Sequence, residues 1–168
     1  MTPDALDPQP LLRFLHEHDV THIIIGGVAV AAHGYARPTM DLDIVPDPDR
    51  SNLTKLAGAL GELHATPAEG NDFASAEFPM NPRTVNDLAA GGNFRLDTDL
   101  GPLDLMQWIS GIDVDNLYAE LVDSALAFTL DDLPLHYCGL AHLRAMKQAA
   151  GRPRDLDDLQ HLPPAEKT

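Results

Sequence analysis

IIIGGVAVAAHGYARPTMDLDIV, residues 23–45, reads as a short apolar strand, a glycine pair, a helix of small residues, a polar turn and a second strand. Side chains alternate across a strand, so Asp41 and Asp43 project from one face while Leu42 and Ile44 face a core. Two carboxylates held side by side repel each other, and a folded protein keeps such a pair mainly where a cation neutralises it. A glycine turn that opens a helix is a place where phosphate sits on backbone N–H groups. Gly26-Gly27 beside Asp41 and Asp43 therefore suggests metal-assisted phosphate chemistry. Either half alone would be weak, because glycine pairs usually make plain turns and Asp-x-Asp is common on solvated strands.

Working outward, 168 residues suit a single domain, with a core over about 20–137 and a C-terminal helical segment over about 138–162. A hydrophobic content of 44% with 22% charged residues is ordinary for a soluble globular chain. No apolar run approaches the roughly 20 residues that span a bilayer. The start, MTPDALDPQP, has no basic region leading into an apolar stretch, so a cytoplasmic protein without membrane contact is expected. Cys138 is the only cysteine, which excludes an internal disulfide, and the histidines lack metal-ligand spacing, so no zinc site is expected. The formal net charge of −15 argues against non-specific binding of DNA or other nucleic acid. Positive charge is nonetheless concentrated at Arg144, Lys147, Arg152 and Arg154.

Periodicity supplies the remaining elements. Leu11, Leu12, Phe14 and Leu15 define an amphipathic helix within 9–19, and Leu53, Leu56, Leu60 and Leu63 define another over 51–64. Strands are expected at 21–25 and 40–45, the second stopped by Pro46 and Pro48. A weak strand is expected near 73–78, and Asn81-Pro82 reads as the start of a helix ending at Gly91-Gly92. Residues 94–98 and 103–107 read as an antiparallel hairpin. A helix over 114–125, two short edge strands at 127–130 and 135–137, and a helix over 140–150 closed by Gly151 follow. Pro153 opens a last short helix. Strands interleave with helices in mixed order, so the fold class is α/β (α+β) with a mixed central sheet.

The hairpin supplies a third acid, Asp104, between Leu103 and Leu105. Asp97 and Asp99 compete for its role, but both neighbours of Asp104 are apolar, which favours it. Three converging carboxylates suit two Mg²⁺ ions, or Mn²⁺, about 3.5–4 Å apart. His33 reads as a helix cap ahead of a nucleotide contact. Tyr35 and Trp108 read as packing residues ahead of stacking platforms, and Cys138 as a small buried apolar residue.

Gly26-Gly27, thirteen residues, Asp41-Leu42-Asp43 and a later Leu103-Asp104-Leu105 together resemble the signature of the polymerase-β-type nucleotidyltransferase superfamily. The text between, with the tail LAHLRAMKQAAGRPRDLDDL at 140–159, resembles a branch of small bacterial nucleotidyltransferases that includes toxins of type IV abortive-infection toxin–antitoxin systems. The resemblance covers about residues 20–45, 93–107 and 138–160 and implies a nucleotidyltransferase fold. It implies that Gly26 and Gly27 hold the triphosphate of an NTP, and that Asp41, Asp43 and Asp104 are catalytic and bind the metals. The superfamily often has serine where Gly27 stands, which leaves phosphate binding more dependent on basic groups. Arg37 and Lys147, with Arg152 and Arg154 behind them, are the candidates by charge, and Thr39 joins them as a nucleotide-binding candidate.

The implied reaction moves an NMP group from an NTP to an acceptor hydroxyl and releases pyrophosphate. The toxin branch implies an RNA 3′ end such as tRNA, or a protein hydroxyl, as acceptor, with a cognate antitoxin as partner. Two alternatives stand beside it. One is a small-molecule nucleotidyltransferase of the aminoglycoside type, which the net acidity favours; the other is a non-catalytic nucleotide-binding module.

Overall fold

The structure, a computed structural model, describes residues 4–68 and 84–165. Its sheet is built outward from β1 (His22–Ile25), which runs straight into α2 (Gly26–Ala32), and from β2 (Leu42–Pro46), which pairs antiparallel with β1. Ile23, Ile24 and Ile25 are all buried, as are Leu42, Ile44 and Val45 on β2. Each such side chain contributes about 1.5–3 kcal/mol relative to exposure, which fixes this pair at the centre. Leu11 and Leu15 of α1 (Gln9–Glu17) and Leu53, Leu56 and Leu60 of α3 (Arg50–Glu62) join the same core. Asp49 caps α3, its side chain accepting from Ser51 N.

On one side of β2 lies β5 (Leu103–Leu105), parallel to it, with Asp43 opposite Asp104. Next come β4 (Phe94–Asp97), antiparallel to β5, and β3 (Thr66–Pro67) at the edge. On the far side of β1 lie β7 (Leu133–Tyr137), parallel to β1, and β6 (Leu126–Leu130), antiparallel to β7. The order β3-β4-β5-β2-β1-β7-β6 makes the mixed sheet that the interleaved pattern predicts.

Several boundaries differ from expectation for physical reasons. α2 begins at Gly26 because that residue has φ +68° and turns the chain directly out of β1. β2 starts at Leu42, leaving Asp41 just ahead of it, and keeps Pro46 as its last residue opposite His22. Of the two expected edge strands only β6 is an edge: Cys138 N donates to Ile24 O at 3.0 Å, which places β7 inside the sheet. Its Leu133, Leu135 and Tyr137 are accordingly buried. β3 forms where no strand was expected. The strand expected at 73–78 and the helix start at Asn81-Pro82 lie outside the described residues, whereas α4 (Val85–Ala89) stops ahead of Gly91-Gly92 as expected. α5 (Leu117–Val122) is shorter than its apolar pattern, because the Asn116 side chain caps it by accepting from Ala119 N.

Two helices close the chain. α6 (Leu140–Ala150) ends at Gly151, whose φ of +61° suits the left-handed C-cap and whose N–H bonds Lys147 O at 3.0 Å. α7 (Pro153–His161) packs against α6 and starts with proline at its first turn, while the Asp155 side chain accepts from Arg152 N. No helix among the described residues is long and apolar enough to cross a membrane.

Candidate active site

At the end of β1 the chain turns through Gly26 against β2. A Cβ built on Gly26 would overlap Asp43 Oδ2 and lie 2.8 Å from Asp43 Cγ. Glycine is required here twice, by the positive φ and by the approach of the carboxylate. One residue on, a Cβ on Gly27 would lie 2.8 Å from Thr39 Oγ1 and 3.1 Å from an Arg37 guanidinium nitrogen. The space that a serine side chain would take is thus filled by Thr39 and Arg37. Thr39 is itself buried and donates its hydroxyl to Asp41 O at 3.1 Å.

Asp41, Asp43 and Asp104 bring carboxylate oxygens within 4.8 Å of one another. The parallel pairing of β2 with β5 sets Asp104 opposite Asp43, and turn geometry brings in Asp41. The competitors fall elsewhere: Asp99 pairs with His64 at 2.6 Å, and Asp97 sits opposite Thr66. Burial, then the charges of Asp41 and Asp104, push the Asp43 carboxyl well above the usual carboxylate range. Burial and Asp41 raise Asp104 as well, against the pull of Arg95, whose Nε lies 3.4 Å from Asp104 Oδ2. Such a cluster is costly without a cation. Hard oxygen ligands at this spacing fit a divalent ion such as Mg²⁺.

The candidate cations are not loose charges. Arg37 grips Asp158 with two bonds, of 2.6 and 2.8 Å. Lys147 lies between Asp158 at 2.9 Å and Asp155 at 3.2 Å, and Arg152 reaches Asp155 at 2.7 Å. Burial alone would raise both aspartates, but these cations outweigh it and hold both carboxyls below their usual range. Three cations against two carboxylates leave one net positive charge, next to the acids. Asp155 and Asp158 are almost fully buried, and the sequence reading missed them. The available signal was their i, i+3 spacing at the start of the last helix, which puts both on one face.

One cleft of about 540 Å³ gathers these groups. The three acids, Gly26, Gly27 and Thr39 line it, as do Arg37, Lys147, Arg152 and Arg154. Arg144 does not; it donates to the carbonyls of Leu159, in the last turn of α7, and Pro163, just beyond it, at 3.2 and 3.1 Å. His33 is the α2 C-cap, and its Nε2 bonds Cys138 O at 2.8 Å. Tyr35 stacks on His161 and donates to Asp157. Cys138 is buried, and burial pushes its thiol up to about 12. Trp108 departs from its expected packing role, since 59% of it is exposed and it lines the cleft.

No protein-family model and no curated protein sequence matches this chain. Solved structures do. A lincosamide antibiotic adenylyltransferase bound to lincomycin superposes with a TM-score of 0.58 at 13% identity, covering 94% of this chain and 96% of that one. The antibiotic-resistance factor ANT(2'')-Ia in solution gives 0.54 at 16% identity, covering 90% and 78%. The same factor with adenylyl-2''-tobramycin gives 0.53 at 16% identity, covering 90% and 83%. The chain therefore has the nucleotidyltransferase fold. None of these three is a toxin of the abortive-infection branch.

Proposed function

We propose that this chain is a divalent-metal-dependent nucleotidyltransferase that moves an NMP group from an NTP to a hydroxyl of a small molecule. The observation that carries the reading is the convergence of Asp41, Asp43 and Asp104 beside the Gly26 turn. The acceptor class follows the neighbours, one bound to lincomycin and one to an adenylylated tobramycin.

In this reading Gly26 and Gly27 present backbone N–H groups to the triphosphate. The net positive cluster of Arg37, Lys147 and Arg152 faces the leaving pyrophosphate, with Thr39 packed behind the turn. The acceptor oxygen attacks the α-phosphorus, a new P–O bond forms, and the bond to the β-phosphate oxygen breaks with its electron pair. The hydroxyl proton leaves to solvent, and pyrophosphate departs. A divalent cation held by Asp41, Asp43 and Asp104 supplies charge neutralisation and a more acidic hydroxyl. The protein's own part is alignment of the two oxygens across phosphorus.

A second reading keeps the chemistry and changes the acceptor to an RNA 3′ end such as tRNA, or a protein hydroxyl, with a cognate antitoxin as partner. The Lys147 helix followed by Gly151-Arg152-Pro153 favours it through the resemblance of that tail. Incubation with each α-labelled NTP, Mg²⁺ and either an aminoglycoside and lincosamide panel or cell extract separates the two by which fraction becomes labelled. Full transfer by Asp43→Asn would sink both.

A further inference from the structure

The cleft has two ends, set by the order of the strands. The Gly26 turn follows β1, on one side of β2, while Asp104 on β5 and Arg95 on β4 lie on the other. In-line transfer puts the leaving and attacking oxygens on opposite sides of the α-phosphorus. With the triphosphate at the glycine turn, the acceptor hydroxyl arrives from the β4 side. This step rests on the nucleotidyltransferase reading above.

Two side chains stand ready there. The Arg95 side chain is 61% exposed and leans on Asp104. Trp108 is 59% exposed, and its backbone is clamped by one side chain: Asn93 Nδ2 donates to Trp108 O at 3.1 Å, and Asn93 Oδ1 accepts from Gln107 N at 2.9 Å and Trp108 N at 3.3 Å. Beyond it the chain closes onto α6, where a Cβ on Gly111 would lie 2.7 Å from Ala145 O. An exposed indole on an anchored backbone at a cleft rim serves a flat ligand better than it serves the fold. Charge narrows the class further. Besides the three converging acids, Asp155 is the only carboxylate among the described residues lining the cleft, and Lys147 and Arg152 hold it.

We propose that Arg95 and Trp108 form the acceptor subsite, and that it takes an uncharged, ring-bearing hydroxyl compound ahead of a polycationic aminosugar. The indole supplies a face for the ring. The guanidinium hydrogen-bonds oxygens beside the reacting hydroxyl and repels ammonium groups. The long-range field of the −15 chain attracts cations, but at a few ångströms Arg95 decides.

Trp108 is the only tryptophan, so its emission reports on this subsite alone. The test titrates phenyl β-glucoside and tobramycin into the full chain with Mg²⁺, with and without a non-hydrolysable analogue of the preferred NTP. The wild type should show saturable quenching by the glucoside and bind tobramycin at least tenfold more weakly. Arg95→Glu should tighten tobramycin at least tenfold. An unchanged emission with the glucoside overturns the proposal, as does emission that responds only to the nucleotide analogue. Tobramycin binding that Arg95→Glu leaves unaltered overturns the charge argument. Calorimetry on the same sample reads Mg²⁺-dependent NTP binding separately, so failure of the enzyme reading is seen as such.

Discussion

The Asp43 carboxylate occupies the space where any side chain on Gly26 would begin. The Gly26 turn and the acid cluster are therefore one packed unit. Gly26→Ala meets both the positive φ, at about 1–2 kcal/mol, and a clash that displaces Asp43. The expected result is a loss of about 2–3 kcal/mol in urea unfolding, together with weakened Mg²⁺ binding by calorimetry. Gly58→Ala, in the middle of α3 with open space around it, should instead stabilise by up to about 1 kcal/mol.

Asp43 and Asp104 have raised carboxyls, so the folded chain without metal holds protons that the unfolded chain releases. The contribution of these two groups to stability is therefore greatest below the ordinary carboxylate range and declines as pH rises through the raised values. On the proposed metal-dependent reading, Mg²⁺ held by these acids would offset the penalty. Thermal melts should show a Mg²⁺-induced rise in Tm that grows from pH 5 to pH 8. Asp43→Asn should melt no lower than wild type at pH 8 without metal, lose the Mg²⁺ response, and lose transfer activity at least about a hundredfold.

Asp155 and Asp158 behave in the opposite sense. Their carboxyls are held below the usual range, so their contribution is complete above that range and fades as pH falls through the lowered values. Asp158→Asn leaves Arg37 and Lys147 short of a partner in a buried setting and should cost about 3–5 kcal/mol. It should also flatten the acid limb of the stability–pH curve and raise the NTP KM, because Arg37 loses its bidentate hold.

β6 is an edge strand whose Leu126, Phe128 and Leu130 are exposed. Exposed apolar edges invite pairing with other chains. Phe128→Lys should reduce concentration-dependent association in light scattering, leaving the Mg²⁺-induced rise in Tm unchanged.

The parts of the site legible in the sequence are those fixed by local rules. Strand alternation puts Asp43 and Asp104 on the proper faces, and a glycine pair between strand and helix marks the turn. What the sequence hides is tertiary. Arg37 meets Asp158 across most of the chain, and nothing near either residue announces the other. The inner position of β7 depends on a parallel pairing with β1, which leaves no hairpin turn to read. Trp108 looks like packing until the Asn93 clamp is seen. The proposed acceptor subsite belongs to this hidden category, because it rests on the placement of β4 beside β5 in the sheet.

The pairing of Asp43 with Asp104 joins positions 61 apart in the chain, 43 to 104. Closing such a loop is slow and entropically unfavourable, so this part of the sheet belongs to the late stages of folding. A chain that has collapsed around the three isoleucines of β1 but has not docked β5 has two acids and no third. On the proposed reading, metal affinity would then serve as a clock for folding. In a refolding experiment the appearance of Mg²⁺ binding should lag the bulk gain of helix and mark the moment when the sheet is complete.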